Sequence, residues 1–207
     1  MRLGKNLLTG GLPGVSFRAM DFEDLRLRPG FEDAKLGDWH QHINADGSVG
    51  GWVQNTATVE ATAFVAPDAI VSDHAKVLGH ARILNRAWVF GRAEIRRRAE
   101  IADDAWVFGN ALVSDFARVY HQSRVFGNAQ ILNEAEVYGR SEVFDHARIF
   151  DHARVCRSAR VFGRAHVGGE LEIDKSFLYV PERQERSRRP PAGAGKPLSS
   201  PPRPRGA

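Results

Sequence analysis

Histidines and nearby carboxylates are the side chains of this chain that could perform acid–base or metal chemistry. The chain has eight histidines, and His40 and His42 stand two residues apart in the segment DWHQHINADG. Together with Asp38 and Asp46 they form one candidate metal site, but two histidines alone do not define such a site. We therefore predict no metal and no cofactor, with this pair kept as the alternative.

Most of the remaining histidines fall within a six-residue repeat. Residues 54–167 divide into nineteen consecutive hexads with no residue inserted or lost. The sixth place is Val or Ile in all nineteen, and the fourth is Ala in seventeen and Ser in two, at Ser123 and Ser141. Five histidines occupy second and third places: His74, His80, His121, His146 and His152. Their positions in space therefore depend on the element that repeats every six residues.

A strand explains the repeat and a helix does not. Six residues turn a helix by roughly 600°, which would scatter the Val positions, whereas places four and six of a strand face the same side. Second places rich in Gly, Asn and Asp tolerate the left-handed backbone of a corner. AWVFG occurs at 87–91 and again at 105–109. The distance between the two copies is three hexads, which we interpret as one complete turn around the prism. We predict an all-β, single-stranded parallel β-helix, a triangular prism of about seven 18-residue coils. The five corner histidines should then be exposed and too far apart to share a metal.

The hexads resemble the hexapeptide-repeat left-handed parallel β-helix family, as Val-Phe-Gly-Asn-Ala-Leu at 107–112 illustrates. The resemblance covers about residues 52–173. Within the family, the chain is similar to a branch of uncharacterised bacterial and phage proteins that lack inserted loops, and some members of this branch are labelled transferases. The resemblance implies left-handed winding and a homo-oligomer, with a trimer favoured. Acyltransferases of this type use a histidine as general base beside a loop at a subunit cleft. Residues 54–167 contain no such loop, so we assign no catalytic residue.

The 18-residue lap sorts the outward positions onto three sides of the prism. The charged side alternates in sign, which stabilises neighbouring strands: Arg82, Glu100, Arg118, Glu136, Arg154 and Glu172. The mixed side suggests no site: Lys76, Glu94, Leu112, Gln130, Arg148 and His166. The aromatic side carries the predicted interface: Trp88, Phe90, Trp106, Phe108, Phe126, Phe144 and Phe162.

The aromatic side has two interpretations at this point. The N-terminal segment or the SFLYV stretch at 176–180 could cover it, or it could be a face for self-association or for a partner. Stripes of exposed aromatic residues are rare on monomers, and aromatic clusters mark interfaces. We favour the interface.

Three segments make up the chain. Residues 1–50 are predicted to cap the open end of the β-helix, with a separate binding domain as the alternative, and residues 51–179 form the β-helix. Residues 180–207 form a disordered, basic, Pro-rich tail, whose seven Lys and Arg against two Glu account for the net charge of +4. Such a tail would attract nucleic acid only weakly.

One cysteine, Cys156, and the lack of any long apolar run lead us to expect a cytoplasmic protein with no membrane span.

These observations favour a non-enzymatic β-helical scaffold or binding protein that self-associates through the aromatic side. One alternative is an acyltransferase-like enzyme acting at a subunit interface. Another is a phage or bacterial accessory protein that sequesters a small ligand between subunits. The basic corner RRRAE at 96–100 is interpreted as solvated surface, with phosphate contact as its alternative.

Overall fold

The sixfold repeat folds as a parallel β-solenoid of about seven turns spaced about 18 residues apart, as the sequence predicts. The computed structural model describes residues 20–174 and, for the backbone alone, residues 177–180. The predicted tail at 181–207 and the first nineteen residues lie outside the described part. In the part of the chain that the structure describes, helix is confined to one short α-helix, α1 (Phe22–Arg26), and a 3-10 turn at Leu36–Asp38.

Among the described residues, three sheets form the sides of the prism. The aromatic side has nine strands: Trp39–Ile43, Val49–Gln54, Ile70–Val71, Trp88–Val89, Trp106–Val107, Arg124–Val125, Glu142–Val143, Arg160–Gly163 and Phe177–Val180. The charged side has seven: Phe64–Val65, Arg82–Ile83, Glu100–Ile101, Arg118–Val119, Glu136–Val137, Arg154–Val155 and Glu172–Ile173. The mixed side has seven: Thr58–Val59, Lys76–Val77, Glu94–Ile95, Leu112–Val113, Gln130–Ile131, Arg148–Ile149 and His166–Val167.

Strand pairing confirms the register expected from the sequence. Glu100 pairs with Arg82 on one neighbouring strand and with Arg118 on the other, each eighteen residues away. Ion pairs follow this register on the charged side: Arg82–Glu100 at 3.1 Å and Arg118–Glu136 at 3.2 Å. Opposite charges on adjacent strands are worth roughly 0.2–1 kcal/mol each. The alternating signs therefore stabilise this side instead of marking a site.

Fourth and sixth places fill the interior. The Ala and Val or Ile side chains from Ala63 to Val167 at these places are 0 or 1% exposed. They form one continuous core cluster along the column. Because three sheets face one narrow axis, only small and β-branched side chains fit, which explains the restricted alphabet of these places.

Second places form the corners in a left-handed backbone. Every second place from Asp73 to Gly169 has a positive φ, between 53° and 78°. Aspartate has an additional role at these corners, because its carboxylate accepts the backbone N–H of the second place one coil later. Asp73 accepts from Gly91 at 2.9 Å, and Asp103 accepts from His121 at 3.0 Å. These bonds tie successive corners together.

The segment before the first coil crosses its open end. Strand Trp39–Ile43 runs antiparallel to Val49–Gln54. The amide of Asn44 bonds both the N–H and the carbonyl of Val65, at 2.8 and 3.1 Å, as a neighbouring strand would. Gly50 lies so close to the coil that a Cβ would be 2.5 Å from the Val65 oxygen. The Gly-Gly pair of SVGGWV thus allows the chain to pass directly over the core.

No helix in the described residues is long and apolar enough to cross a membrane.

Candidate functional site

The five phenylalanines of the aromatic side form a continuous stack of rings. Successive centroids from Phe90 to Phe162 are 4.7, 4.9, 4.8 and 4.9 Å apart, and the ring planes differ by 2 to 7°. These distances exceed the roughly 3.5–4.0 Å contact distance between carbon atoms, so the parallel rings are offset. Offset stacking is a favourable aromatic geometry. We call this set the phenylalanine ladder.

Stacking changes the expected exposure of the ladder. The hexad pattern places the five rings on the outside of the column, and in the structure all five are partly exposed. Each inner ring has both faces covered by its neighbours, so that only ring edges reach solvent. The neighbouring ring 4.8 Å along the column supplies this cover, a contact that the hexad pattern alone does not specify. What the ladder offers to a partner is a line of ring edges.

The N-terminal segment covers the first part of the aromatic side. Trp52 and Ile70 are 7 and 1% exposed, within a cluster built around Leu25 and Phe31. Phe31 contacts the ring of Trp88 with centroids 4.8 Å apart. The predicted cover by this segment is therefore present at Ile70 and Trp88. Trp106, one coil further on, is 37% exposed.

The SFLYV stretch does not lie over the ladder. Its described part, Phe177–Val180, pairs in parallel with Arg160–Gly163 and so extends the same sheet by one strand. The suggested cover by this stretch is wrong, because its backbone continues the column. Within the described residues, no segment lies over the ladder between Phe108 and Phe144.

Charged side chains border the ladder on the same sheet. Glu142 lies between two arginines, 3.7 Å from Arg124 and 2.8 Å from Arg160. The guanidinium of Arg124 also lies 5.1 Å from the Trp106 ring centroid, and that of Arg160 lies 5.3 Å from the Phe144 centroid. The face therefore combines aromatic edges with an alternating row of charges.

His40 and His42, the candidate metal pair, are held by separate partners. The His40 ring lies 2.9 Å from the Asn55 side-chain oxygen, while His42 is buried with its Nε2 atom 3.3 Å from the Ala63 carbonyl oxygen. Burial lowers the pKa of His42, and His40 lowers it further. Asp46 instead bonds Ser48 at the turn. Among the described residues, no group of three or more His, Cys, Asp or Glu could hold a metal ion.

The corner histidines are exposed, as expected: His74, His80, His121, His146 and His152. His121 has the most defined surroundings, with its ring 4.8 Å from that of Tyr120 and its Nδ1 3.4 Å from the N–H of Gly139. His152 lies 3.4 Å from Glu134 across one coil. These contacts link neighbouring rungs of a corner, and the residues between 54 and 167 have no loop beside them.

The basic corner at 96–100 is neutralised by its own neighbours. Arg96 lies 3.4 Å from Glu94, and Arg97 is paired with Asp115. The guanidinium of Arg98 lies 5.7 Å from the centre of the Phe116 ring. These partners support the interpretation as ordinary surface over phosphate contact.

A second aromatic line, which the hexad pattern did not lead us to expect, lies on the first places after the charged side. Tyr120 and Tyr138 are stacked with centroids 5.0 Å apart, and Cys156 follows on the next coil. Burial, with Glu136 nearby, raises the pKa of Tyr120 to about 12. Burial also raises the pKa of the Cys156 thiol, which is 2% exposed. The eighteen-residue spacing could have revealed this line, since Tyr120, Tyr138 and Cys156 share one place of the hexad.

The two fourth-place serines are structural. Ser123 and Ser141 are fully buried, and each hydroxyl donates to the carbonyl three residues earlier at 2.8 Å. Each also lies within 3.3 Å of a core carbonyl on the next coil. A satisfied hydroxyl can thus replace alanine in the core at little cost.

Two open cavities border the part of the aromatic side that lies nearest the N-terminal segment. One, of about 310 Å³, lies between the N-terminal segment and the coils and is lined by Phe31, Ile70, Trp88 and Trp106. The other, of about 650 Å³, follows the corner between the charged and aromatic sides and is lined by Asn85, Asp103, His121, Gln122 and Arg140. Arg86 and Asp104 line both cavities. The two cavities therefore adjoin.

Comparison with models of protein families, with curated proteins and with solved structures found no significant match.

Proposed function

We propose that this protein is a non-enzymatic β-solenoid scaffold of the hexapeptide-repeat type that binds copies of itself through the phenylalanine ladder. The observation that carries the proposal is the ladder itself. Five parallel rings present their edges along about 19 Å of one side, and no described segment lies over the rings from Phe108 to Phe144.

Burial energetics support an interface at this face. A fully buried Phe side chain contributes roughly 1.5–3 kcal/mol relative to an exposed one. Stacking has already buried part of each ring, so about half of that amount remains for a partner. A line of five such edges can nevertheless supply several kcal/mol, and aromatic residues at the centre of a contact contribute most to binding.

The charges beside the ladder favour a second copy as the partner. Arg124, Glu142 and Arg160 alternate in sign at successive coils. A surface with alternating signs can pair with a second copy across a two-fold axis that passes between two coils, because Arg124 of one copy then faces Glu142 of the other. The charges thus favour a closed two-fold pair, whereas the family resemblance favours a trimer.

The test is the mass of the protein in solution, measured by light scattering after size-exclusion chromatography. We expect wild-type protein to be an oligomer and Phe126→Asp to be a monomer. Phe116→Asp serves as the matched control, because Phe116 is 53% exposed on another corner, and it should leave the oligomer intact.

A second variant tests the interface without removing a ring. Phe126→Tyr keeps the stack but adds a hydroxyl at the ring edge. Leaving that hydroxyl unpaired in an interface costs about 1–3 kcal/mol, which weakens association at least fivefold. A monomeric wild-type protein at 100 µM, or an oligomer unaffected by both Phe126 substitutions, would refute the proposal.

A further inference from the structure

The two cavities described above form one groove with an aromatic end and a polar end. The aromatic end lies under the N-terminal segment, and the polar end runs down the adjoining corner. They meet at Arg86 and Asp104, whose side chains are bonded at 2.8 Å. Each cavity has a volume of at least 300 Å³, which falls within the range of about 300–1,000 Å³ that small-molecule sites occupy.

Trp106 provides a fixed platform at the aromatic end. Its ring packs against Trp88 in a T-shaped arrangement with centroids 5.5 Å apart. Trp88 is itself held by Phe31 and by a 3.0 Å hydrogen bond from its indole N–H to Ser72. Trp106 remains 37% exposed. The Arg124 guanidinium lies 5.1 Å from the Trp106 ring centroid, and the exposed remainder of this supported indole is the surface that a ligand can contact.

The polar end contains planar side chains that are already ordered by one another. The Asp103 carboxylate accepts from the Asn85 amide at 2.8 Å, and the Arg140 guanidinium donates to Gln122 at 3.1 Å. His121 completes the row. Each of these groups has further donors or acceptors beyond the bond it already makes. A ligand therefore meets fixed donors and acceptors side by side.

The charges of the groove favour a neutral ligand. The arginine shared by both cavities is paired with the shared aspartate, and Arg28 donates to the Asp68 carbonyl oxygen at 3.1 Å. Asp103 has a bond to each carboxylate oxygen. A neutral polyhydroxylated molecule can bond to all of these groups as they stand, including Arg140, which is bonded to the neutral Gln122 side chain.

We propose that this groove binds a short carbohydrate chain. A sugar ring has an apolar face of C–H groups that packs on an indole, and hydroxyls that both donate and accept. The aromatic end matches the first property at Trp106, and the row from Asp103 to Arg140 matches the second. One or two sugar units lie on the aromatic end and further units follow the corner. This binding goes beyond the proposed self-association and uses a different part of the aromatic side.

The indole N–H signals in a two-dimensional ¹H–¹⁵N spectrum offer a site-specific test. Cellotetraose, maltotetraose and chitotetraose serve as probes, each titrated to about 10 mM, well above a millimolar dissociation constant. At least one probe should shift the Trp106 signal saturably. Trp39 and Trp52 are 9 and 7% exposed and should not shift.

Matched variants separate the groove from the general surface. Trp106→Ala, followed through the indole N–H signal of Trp88 in the same cavity, and Gln122→Ala should each weaken binding about tenfold, equivalent to about 1.4 kcal/mol. Phe116→Ala replaces another exposed aromatic and Gln130→Ala another glutamine, on the mixed side, and both should bind like wild type. The absence of a saturable Trp106 shift with all three probes, or equal loss in the control variants, overturns the proposal.

The outcome is independent of the proposed self-association. Phe126→Tyr should alter the mass of the particle but not the affinity for the probe, and Gln122→Ala should do the reverse. Failure of either proposal is therefore distinguishable from failure of the other.

Discussion

Stacking within the phenylalanine ladder should be measurable as a coupling between neighbouring rings. Phe126 is stacked between Phe108 and Phe144, at 4.9 and 4.8 Å. Each aromatic pair contributes about 0.5–1.5 kcal/mol beyond its buried area, and the partly buried ring adds about half of a full burial of roughly 1.5–3 kcal/mol. Phe126→Ala should therefore lower the free energy of unfolding by about 2–4 kcal/mol.

Double-mutant cycles separate stacking from burial. The adjacent pair Phe126→Ala and Phe144→Ala should show a coupling of about 0.5–1.5 kcal/mol, measured by urea unfolding followed by circular dichroism. The pair Phe108→Ala and Phe144→Ala is two coils apart and should be additive within about 0.5 kcal/mol. Phe116→Ala, which removes an exposed ring with no aromatic neighbour in the described residues, should cost about 0.5 kcal/mol or less. Equal coupling in the adjacent and the spaced pair would refute the stacking argument.

Three further predictions follow from contacts elsewhere in the column. Asp103→Ala should cost about 2 kcal/mol on urea unfolding, because the N–H of His121 loses its acceptor and alanine is strained at the positive φ of this corner, whereas Asp103→Asn, which keeps an oxygen and tolerates that backbone, should cost less. Gly51→Ala should abolish the folded far-ultraviolet spectrum or lower the melting temperature sharply, because a Cβ would collide with the Ala69 oxygen; an unchanged melting temperature would contradict this. The folded-state pKa of Tyr120 is raised to about 12, above an unfolded value near 10, so its stabilising contribution is complete below pH 10 and is lost as the pH rises to 12. Absorbance titration should show a phenolate transition near pH 12 that Tyr120→Phe removes.

The column itself was predictable because its rules are local and repeated. Val or Ile at every sixth place and small residues at every fourth place define which side chains face inward. The eighteen-residue recurrence then fixes which strands are neighbours, and the pairing of Glu100 with Arg82 and Arg118 confirms it. Gly, Asn and Asp at the second places predicted a left-handed backbone at the corners, and the residues there have positive φ angles in the structure.

The candidate site was predictable only in part. The sequence placed the phenylalanines in one line, but partial burial by stacking depends on ring orientation, which the hexad pattern does not encode. The contact between Phe31 and Trp88 joins residues 57 positions apart, in a segment without a repeat. The sequence predicts Asp103 only as a residue that tolerates the backbone of a corner. It does not predict the hydrogen bond from the N–H of His121, one coil later, to the Asp103 carboxylate. The groove is built on both of these features, which the sequence did not predict.

The alternating charged side restricts how this chain can change in length. Deleting residues 108–125 removes one complete coil and leaves every core place and every corner in phase. On the charged side, however, it brings Glu100 beside Glu136, and like charges on neighbouring strands repel. Deleting residues 108–143 removes two coils and sets Glu100 beside Arg154 instead. Insertions and deletions that preserve this surface are therefore quantised in steps of 36 residues, twice the step that the backbone alone would accept.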